Sequence, residues 1–159
     1  MMQETGENRK ILIVEDEADI RQVLSFFLKQ AGFEVQAVSG GQEAIDMLPT
    51  YQPHLVILDI LMRPVSGWQV LQWIRTTHDD STIPVLILTA LVQFSEQMQG
   101  LERGAVDYVT KPMQPRRVVE RVKRLLDMSV EQRLLLRQVY MNERRQILDQ
   151  LAAAQADEF

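Results

Sequence analysis

Four polar groups of residues, each set directly at the end of an apolar run, carry side chains that could do chemistry together. Glu15-Asp16-Glu17 ends the first such run, Asp59 closes HLVILD, Thr89-Ala90 closes PVLILT, and Lys111-Pro112 follows VDYVT. Carboxylates brought together repel one another unless a cation sits among them. Hard oxygen ligands suit Mg²⁺, which keeps several waters and binds through only a few carboxylates. An aspartate can attack a phosphoryl group and become an acyl phosphate. A lysine ammonium holds a phosphate oxygen as a point charge, and a threonine hydroxyl donates a further hydrogen bond. Cation, lysine and threonine together would neutralise the charge that a phosphoryl group brings.

These residues meet only if the chain sets the first, third, fourth and fifth apolar runs side by side. The runs cover residues 10–15, 33–38, 54–59, 84–89 and 106–110. Three are nearly continuous in Leu, Ile and Val, as strands buried on both faces of a parallel sheet are. Between and after them lie helical patterns. Ile20, Val23, Leu24, Phe27 and Leu28 mark a helix over 18–31 that Gly32 stops. Ala44, Ile45 and Leu48 mark a helix over 42–48 that Pro49 closes. Further helices are expected over 67–76, 94–103 and 115–127. Five strand–helix alternations predict an α/β fold, a doubly wound five-stranded parallel sheet with helices on both faces. In such a sheet ligands sit at the carboxyl ends of the strands, where the four groups lie.

The composition excludes several function classes. The 159 residues are 46% hydrophobic and 25% charged, as in a soluble globular chain. A net charge of -5 argues against direct nucleic acid binding by bulk electrostatics. There is no cysteine, so thiol chemistry is excluded. No run is long and apolar enough to span a membrane, and the polar opening MMQETGENRK predicts a cytoplasmic protein with a flexible N-terminus over residues 1–9. His54 and His78 are isolated, and there is neither a glycine-rich phosphate loop nor a Ser-His-Asp grouping. Taken singly, each of the four groups also has a bland reading, as a helix start or a turn. Trp68 and Trp73 are expected to divide, one packed and one partly exposed. The basic residues Arg116, Arg117, Arg121, Lys123 and Arg124 read as a solvated face or one that pairs with acidic groups on a partner.

From about Lys10 to Asp127 the chain resembles the receiver domains of two-component response regulators. The stretches ILIVEDE, LVILDILM, PVLILTA and GAVDYVTKP and the SGW turn carry the resemblance, with 30 residues from Asp59 to Thr89 and 22 from Thr89 to Lys111. The resemblance implies a flavodoxin-like strand order 2-1-3-4-5 and residues 10–127 as the receiver. It implies Asp59 as phosphoacceptor, with the phosphoryl group coming from a histidine kinase or phosphotransfer protein. Asp16, Asp59 and the backbone carbonyl of Leu61 would bind Mg²⁺, with Glu15 acting mainly through a metal-bound water. Lys111 and Thr89 would hold the phosphoryl oxygens, Thr89 and Tyr108 would form the switch, and the Lys111-Pro112 bond would be cis. Such a protein is not an enzyme beyond its own phosphorylation and slow dephosphorylation.

The chain departs from the family at several places. Arg63 stands where proline is usual, Pro64 follows, and Ser66 stands where an aspartate is common. Leu61 and Leu91 occupy two positions that tune phosphoryl lifetime. Leucines there cannot orient a hydrolytic water, which predicts slow self-dephosphorylation. A dehalogenase-type phosphatase would need an aspartate where Leu61 stands. The other readings are a degenerate receiver acting as a scaffold, and the receiver fragment of a longer transcriptional or signalling regulator. Residues 128–159 predict one more helix, roughly 129–153, as a C-terminal extension. Leu134, Met141 and Leu148 recur every seven residues, with Arg137 and Arg144 interrupting the companion seam. A dimerisation helix or signalling linker is the favoured reading, a helix folded back on its own domain the alternative. A homodimer through the fourth and fifth helices or this extension is the corresponding partner expectation.

Overall fold

The computed structural model describes residues 8–77, 82–90 and 94–157. Most of the expected flexible N-terminus, His78 and Leu91 lie outside the described residues. Five strands, β1 (Lys10–Val14), β2 (Glu34–Val38), β3 (Leu55–Asp59), β4 (Val85–Thr89) and β5 (Asp107–Thr110), alternate with α1 (Ala18–Gln30), α2 (Gly41–Tyr51), α3 (Gly67–Thr76), α4 (Phe94–Glu102) and α5 (Pro115–Asp127), and α6 (Val130–Ala156) follows. All pairings are parallel, in the order β2-β1-β3-β4-β5. This is the flavodoxin-like arrangement the resemblance implied.

Alternation along the strands sorts the apolar side chains into two layers. Leu12, Val14, Val56, Leu58, Val85 and Ile87 face α2 and α3 through Ala44, Leu48, Val70, Leu71 and Ile74. Ile11, Ile13, Leu55, Ile57, Leu86 and Leu88 face α1 and α5 through Leu24, Leu28, Val118, Val122 and Leu125. Burial on both faces is why β3 and β4 read as unbroken apolar runs. Tyr108 belongs to the first layer.

Local signals set the helix ends. Ser66 and Gln69 form a reciprocal capping box that starts α3. Pro115 opens α5, where its missing N–H costs nothing. Gly32 follows α1 at φ +98, and the amide of Phe33 returns to the carbonyl of Leu28.

Three expectations are corrected. Pro49 lies inside α2 and does not close it. A proline so near the end forfeits one helical bond, and the helix closes at Gln52, whose amide donates to Leu48. Trp68 and Trp73 are both half-buried, packed against the layer under α2 and α3. The sixth helix reaches Ala156, three residues beyond its expected end. Its residues as far as Leu148 pack against α4, where Met141 meets Met98 and Leu101.

Candidate functional site

The site is assembled at the carboxyl ends of β1, β3, β4 and β5. Just past β1, the Glu15 amide donates to the carbonyl of Val38 at 3.1 Å, which keeps this carboxylate inside the sheet edge. Glu15 is fully buried, whereas Asp16 and Glu17 are exposed. Arg21 pins the turn by donating to the carbonyls of Glu15 at 2.8 Å and Asp16 at 3.1 Å. The side chains of Glu15, Asp16 and Glu17 can each offer an oxygen within 4.8 Å of the others.

Asp59 ends β3 and is 2% exposed. Its Oδ1 accepts from the amide of Leu61 at 3.1 Å, and its Oδ2 lies 3.4 Å from Lys111 Nζ. The approach of α3 holds this strand end. A Cβ added to Gly67 would sit 2.2 Å from the Asp59 carbonyl oxygen and 2.6 Å from Ile60 Cα. Only a residue without a side chain allows that contact. The Gly67 amide donates to the Ile60 carbonyl at 3.0 Å.

Lys111 is tied to β4 by its amide, which donates to the Thr89 carbonyl at 2.8 Å. Its ammonium reaches Glu15 Oε1 at 2.7 Å, Glu17 Oε1 at 3.2 Å and Asp59 Oδ2 at 3.4 Å. Thr89 is buried beside it. The Lys111-Pro112 bond is cis, as the resemblance implied, and so is Arg63-Pro64 in the loop where the sequence departs from the family.

The electrostatics are those of carboxylates short of positive charge. Burial pushes Glu15 up to about 7, against the pull of Lys111, and the neighbouring Asp59 carboxyl adds to the rise. Burial likewise raises Asp59, with Glu15, Lys111 and the Leu61 amide opposing. Burial works against the charge of Lys111, but Glu15, Asp59 and Glu17 together hold its value above the ordinary one. Buried Oε1 of Glu15 has the Lys111 ammonium at 2.7 Å as its one described partner and room in its lone pairs for another. A buried, under-satisfied carboxylate oxygen amid further carboxylates is a donor set that fits a hard divalent cation.

Of the residues singled out in the sequence, Glu15, Asp59 and Lys111 are brought into contact, and Asp16 lies beside Asp59. Leu61 is exposed over the site, with its amide turned to Asp59. Tyr108 is 7% exposed and stands apart from the carboxylates, with the guanidinium of Arg144 5.1 Å from its ring centre. Three contributors were given no individual role in the sequence reading. Glu17 was visible as the third acid in a row. Arg144 was visible only as a break in an apolar seam. Asp107 is buried at the start of β5, its carboxyl raised by burial against the pull of Arg121 and Arg124. Two cations of the basic α5 thus turn to an acid of their own chain. A cavity of about 390 Å³ lies at the opposite ends of the strands, and its Arg133 and Arg137 donate to the final carbonyls of α5 and α4.

Residues 11–123 match the response regulator receiver domain family. Among curated proteins, the chain is 38% identical over 122 residues to the alkaline phosphatase synthesis transcriptional regulatory protein PhoP of Bacillus subtilis, covering 77% of this chain and 50% of that one. It is 36% identical over 138 residues to the phosphate regulon transcriptional regulatory protein PhoB of Shigella flexneri, covering 84% and 60%. The chain spans about half the length of the curated relatives it matches. Among solved structures, the chemotaxis response regulator CheY4 of Vibrio cholerae superposes with a TM-score of 0.71 at 27% identity, over 75% of this chain and 99% of that one.

Proposed function

This chain belongs to the response regulator receiver domain family, and on that footing we propose that it is a phosphoacceptor switch loaded on Asp59 by a histidine kinase or phosphotransfer protein. The observation that carries the reading is the convergence of Lys111 on Glu15, Glu17 and Asp59 from strand ends far apart in sequence.

In the reaction, an Asp59 carboxylate oxygen attacks the phosphorus of a phosphohistidine. A P–O bond forms, the donor's P–N bond breaks, and the electron pair leaves with the imidazole nitrogen, which takes up a proton. Asp16, Asp59 and the Leu61 carbonyl would hold Mg²⁺, with Glu15 supporting it, and the ion would supply charge neutralisation at the phosphoryl oxygens. Lys111 exchanges its carboxylate partners for a phosphoryl oxygen. Thr89, one residue beyond the partner of Asp59 on β4, offers its hydroxyl to another. Leu61 roofs the acceptor without a group that could orient water, which supports a long-lived acyl phosphate. Thr89 and Tyr108 then bias the face built from α4 and β5 between two states.

No chemistry on an external substrate is proposed, and the acidic chain is not proposed to touch nucleic acid by itself. No helix among the described residues is long and apolar enough to cross a membrane. We place the switch in the cytoplasm with its kinase. The half-length match to PhoP and PhoB favours a second reading for output, a receiver that serves a longer transcriptional regulator. A degenerate scaffold is disfavoured because the acidic residues, Asp59 and Lys111 are all in place.

The test is intact mass after incubation with Mg²⁺ and acetyl phosphate, beside Asp59→Asn. A gain of about 80 Da, one phosphoryl group, absent from the variant, is the expected result. No adduct from acetyl phosphate or from a phosphorylated histidine donor would overturn the reading.

A further inference from the structure

The sixth helix lies outside the family match, which ends at residue 123. A second reciprocal capping box, Ser129 with Gln132, lets it start without help from a neighbour. Two residues in extended conformation, Met128 and Ser129, are its whole link to α5. Its grip on the domain is thin. Met141 is the one buried residue among its 27, and every residue from Asp149 to Asp157 is exposed.

Three arginines complete the grip: Arg133 donates to the Leu125 carbonyl at the end of α5 at 3.1 Å, and the other two, Arg137 and Arg144, are the residues that break the apolar seam. Arg137 donates to the carbonyls of Leu101 and Glu102, the last turn of α4, where a cation complements the helix dipole. Arg144 donates to Gln97 Oε1 at 2.9 Å and lies over the ring of Tyr108 at 5.1 Å and that of Tyr140 at 5.5 Å. The seat of the tail helix therefore includes a side chain of β5.

That side chain is two strands from the acceptor. Asp59 pairs in register with Leu88, the next residue Thr89 pairs with Thr110, and Ile87 pairs with Tyr108. Thr89 and Tyr108 share the parity of Ile87 and Thr110, so both face the layer on the α4 side. The Tyr108 carbonyl is held at 2.7 Å by Arg121, which fixes the backbone and leaves the ring as the part free to respond.

We propose that α6 is a displaceable cover on the face of α4 and β5, seated by Arg144 on Tyr108, and that a phosphoryl group on Asp59 loosens it. This rests on the acceptor reading above. When Thr89 is drawn toward the phosphoryl oxygens, the packing around Tyr108 changes and the ring leaves Arg144. The surface uncovered is apolar at Met98 and Leu101, with Gln97 and Tyr108 beside it.

Hydrogen exchange of the full chain, with intact mass taken on the same sample, tests this. In the phosphorylated protein, amides of residues 130–148 should exchange at least about fivefold faster, the lower range of coupling between sites. Arg144→Ala should produce the same loosening without phosphate, and phosphorylation should add little to it. Arg145→Ala, at an exposed neighbour, should leave exchange unchanged. An adduct on Asp59 with unaltered exchange in α6 would overturn the cover and leave the acceptor reading intact. Unaltered exchange in Arg144→Ala would overturn the seat whatever the phosphorylation state. Failure to form any adduct would overturn both readings.

Discussion

Gly67→Ala should damage the site from behind, without touching a charged group. The added Cβ would meet the Asp59 carbonyl oxygen at 2.2 Å, Ile60 Cα at 2.6 Å and the Asp59 carbonyl carbon at 2.9 Å. An unstrained carbon–oxygen contact needs about 3.3 Å, so α3 and the end of β3 must separate by about 1 Å. All three neighbours are backbone, and no rotamer change relieves them. Overpacking usually costs about 1–3 kcal/mol, and backbone clashes belong at the upper end. At ~2–4 °C per kcal/mol for a chain of this size, the melting temperature should fall by roughly 6–12 °C. The displaced atoms belong to Asp59, the proposed phosphoacceptor. A 1 Å misplacement of a reacting group can cost about 100-fold, and loading from acetyl phosphate should slow by that order. Gly40→Ala is the contrast, because its Cβ would meet only Glu43 Oε1, at 3.6 Å. Calorimetry and time-resolved intact mass measure the two effects. A Gly67→Ala protein that melts within about 2 °C of the parent and loads within about twofold of its rate would refute the reasoning.

Other consequences concern charge and water. Because burial raises Glu15 from 4.5 to about 7, its folded value lies above its unfolded one, so its contribution to stability is full below about 4.5 and is lost as pH rises through about 7. Glu15→Gln should therefore gain stability over the parent between pH 5 and 8 in metal-free urea unfolding, and a constant difference would contradict the assignment. For the same reason Mg²⁺ should bind more weakly as pH falls through about 7, with protons released on binding, which calorimetry in two buffers would read. Leu61→Asn should shorten the lifetime of the acyl phosphate by at least about tenfold, by giving water a polar group to dock on. An unchanged half-life would mean that the leucine does not govern hydrolysis.

The chemistry was legible because a parallel sheet leaves its strand ends as the natural place for unpaired polar residues. Once β1, β3, β4 and β5 read as apolar runs, Glu15, Asp59, Thr89 and Lys111 could be placed before any coordinates. Glu17 was harder, because an exposed acid beside a helix start looks like a dipole partner. Gly67 fitted the resemblance by position, but its reason is a distance to a backbone atom that no pattern contains. Pro49 misled because a proline ends a helix in general, whereas in the last turn it removes a single bond. The seat of α6 was ambiguous for a deeper reason. Leu134, Met141 and Leu148 present the same seam to a partner helix and to α4, and only the positions of Leu101 and Gln97 show that Arg137 and Arg144 join the contact.

The crowding of three acids around the Lys111 ammonium, with Asp16 beside them, also bears on the order of events. With Glu15, Asp16, Glu17 and Asp59 all ionised, and Lys111 and Arg21 as the described cations beside them, the vestibule carries a formal charge of −2. A phosphodonor is itself an anion and is turned away at a distance, most strongly in dilute salt, where screening is weak. A divalent ion is drawn in by the same field. On the proposed function, arrival would be sequential, cation first and donor second, and a cell short of free magnesium would hold such a switch silent however much donor it contained.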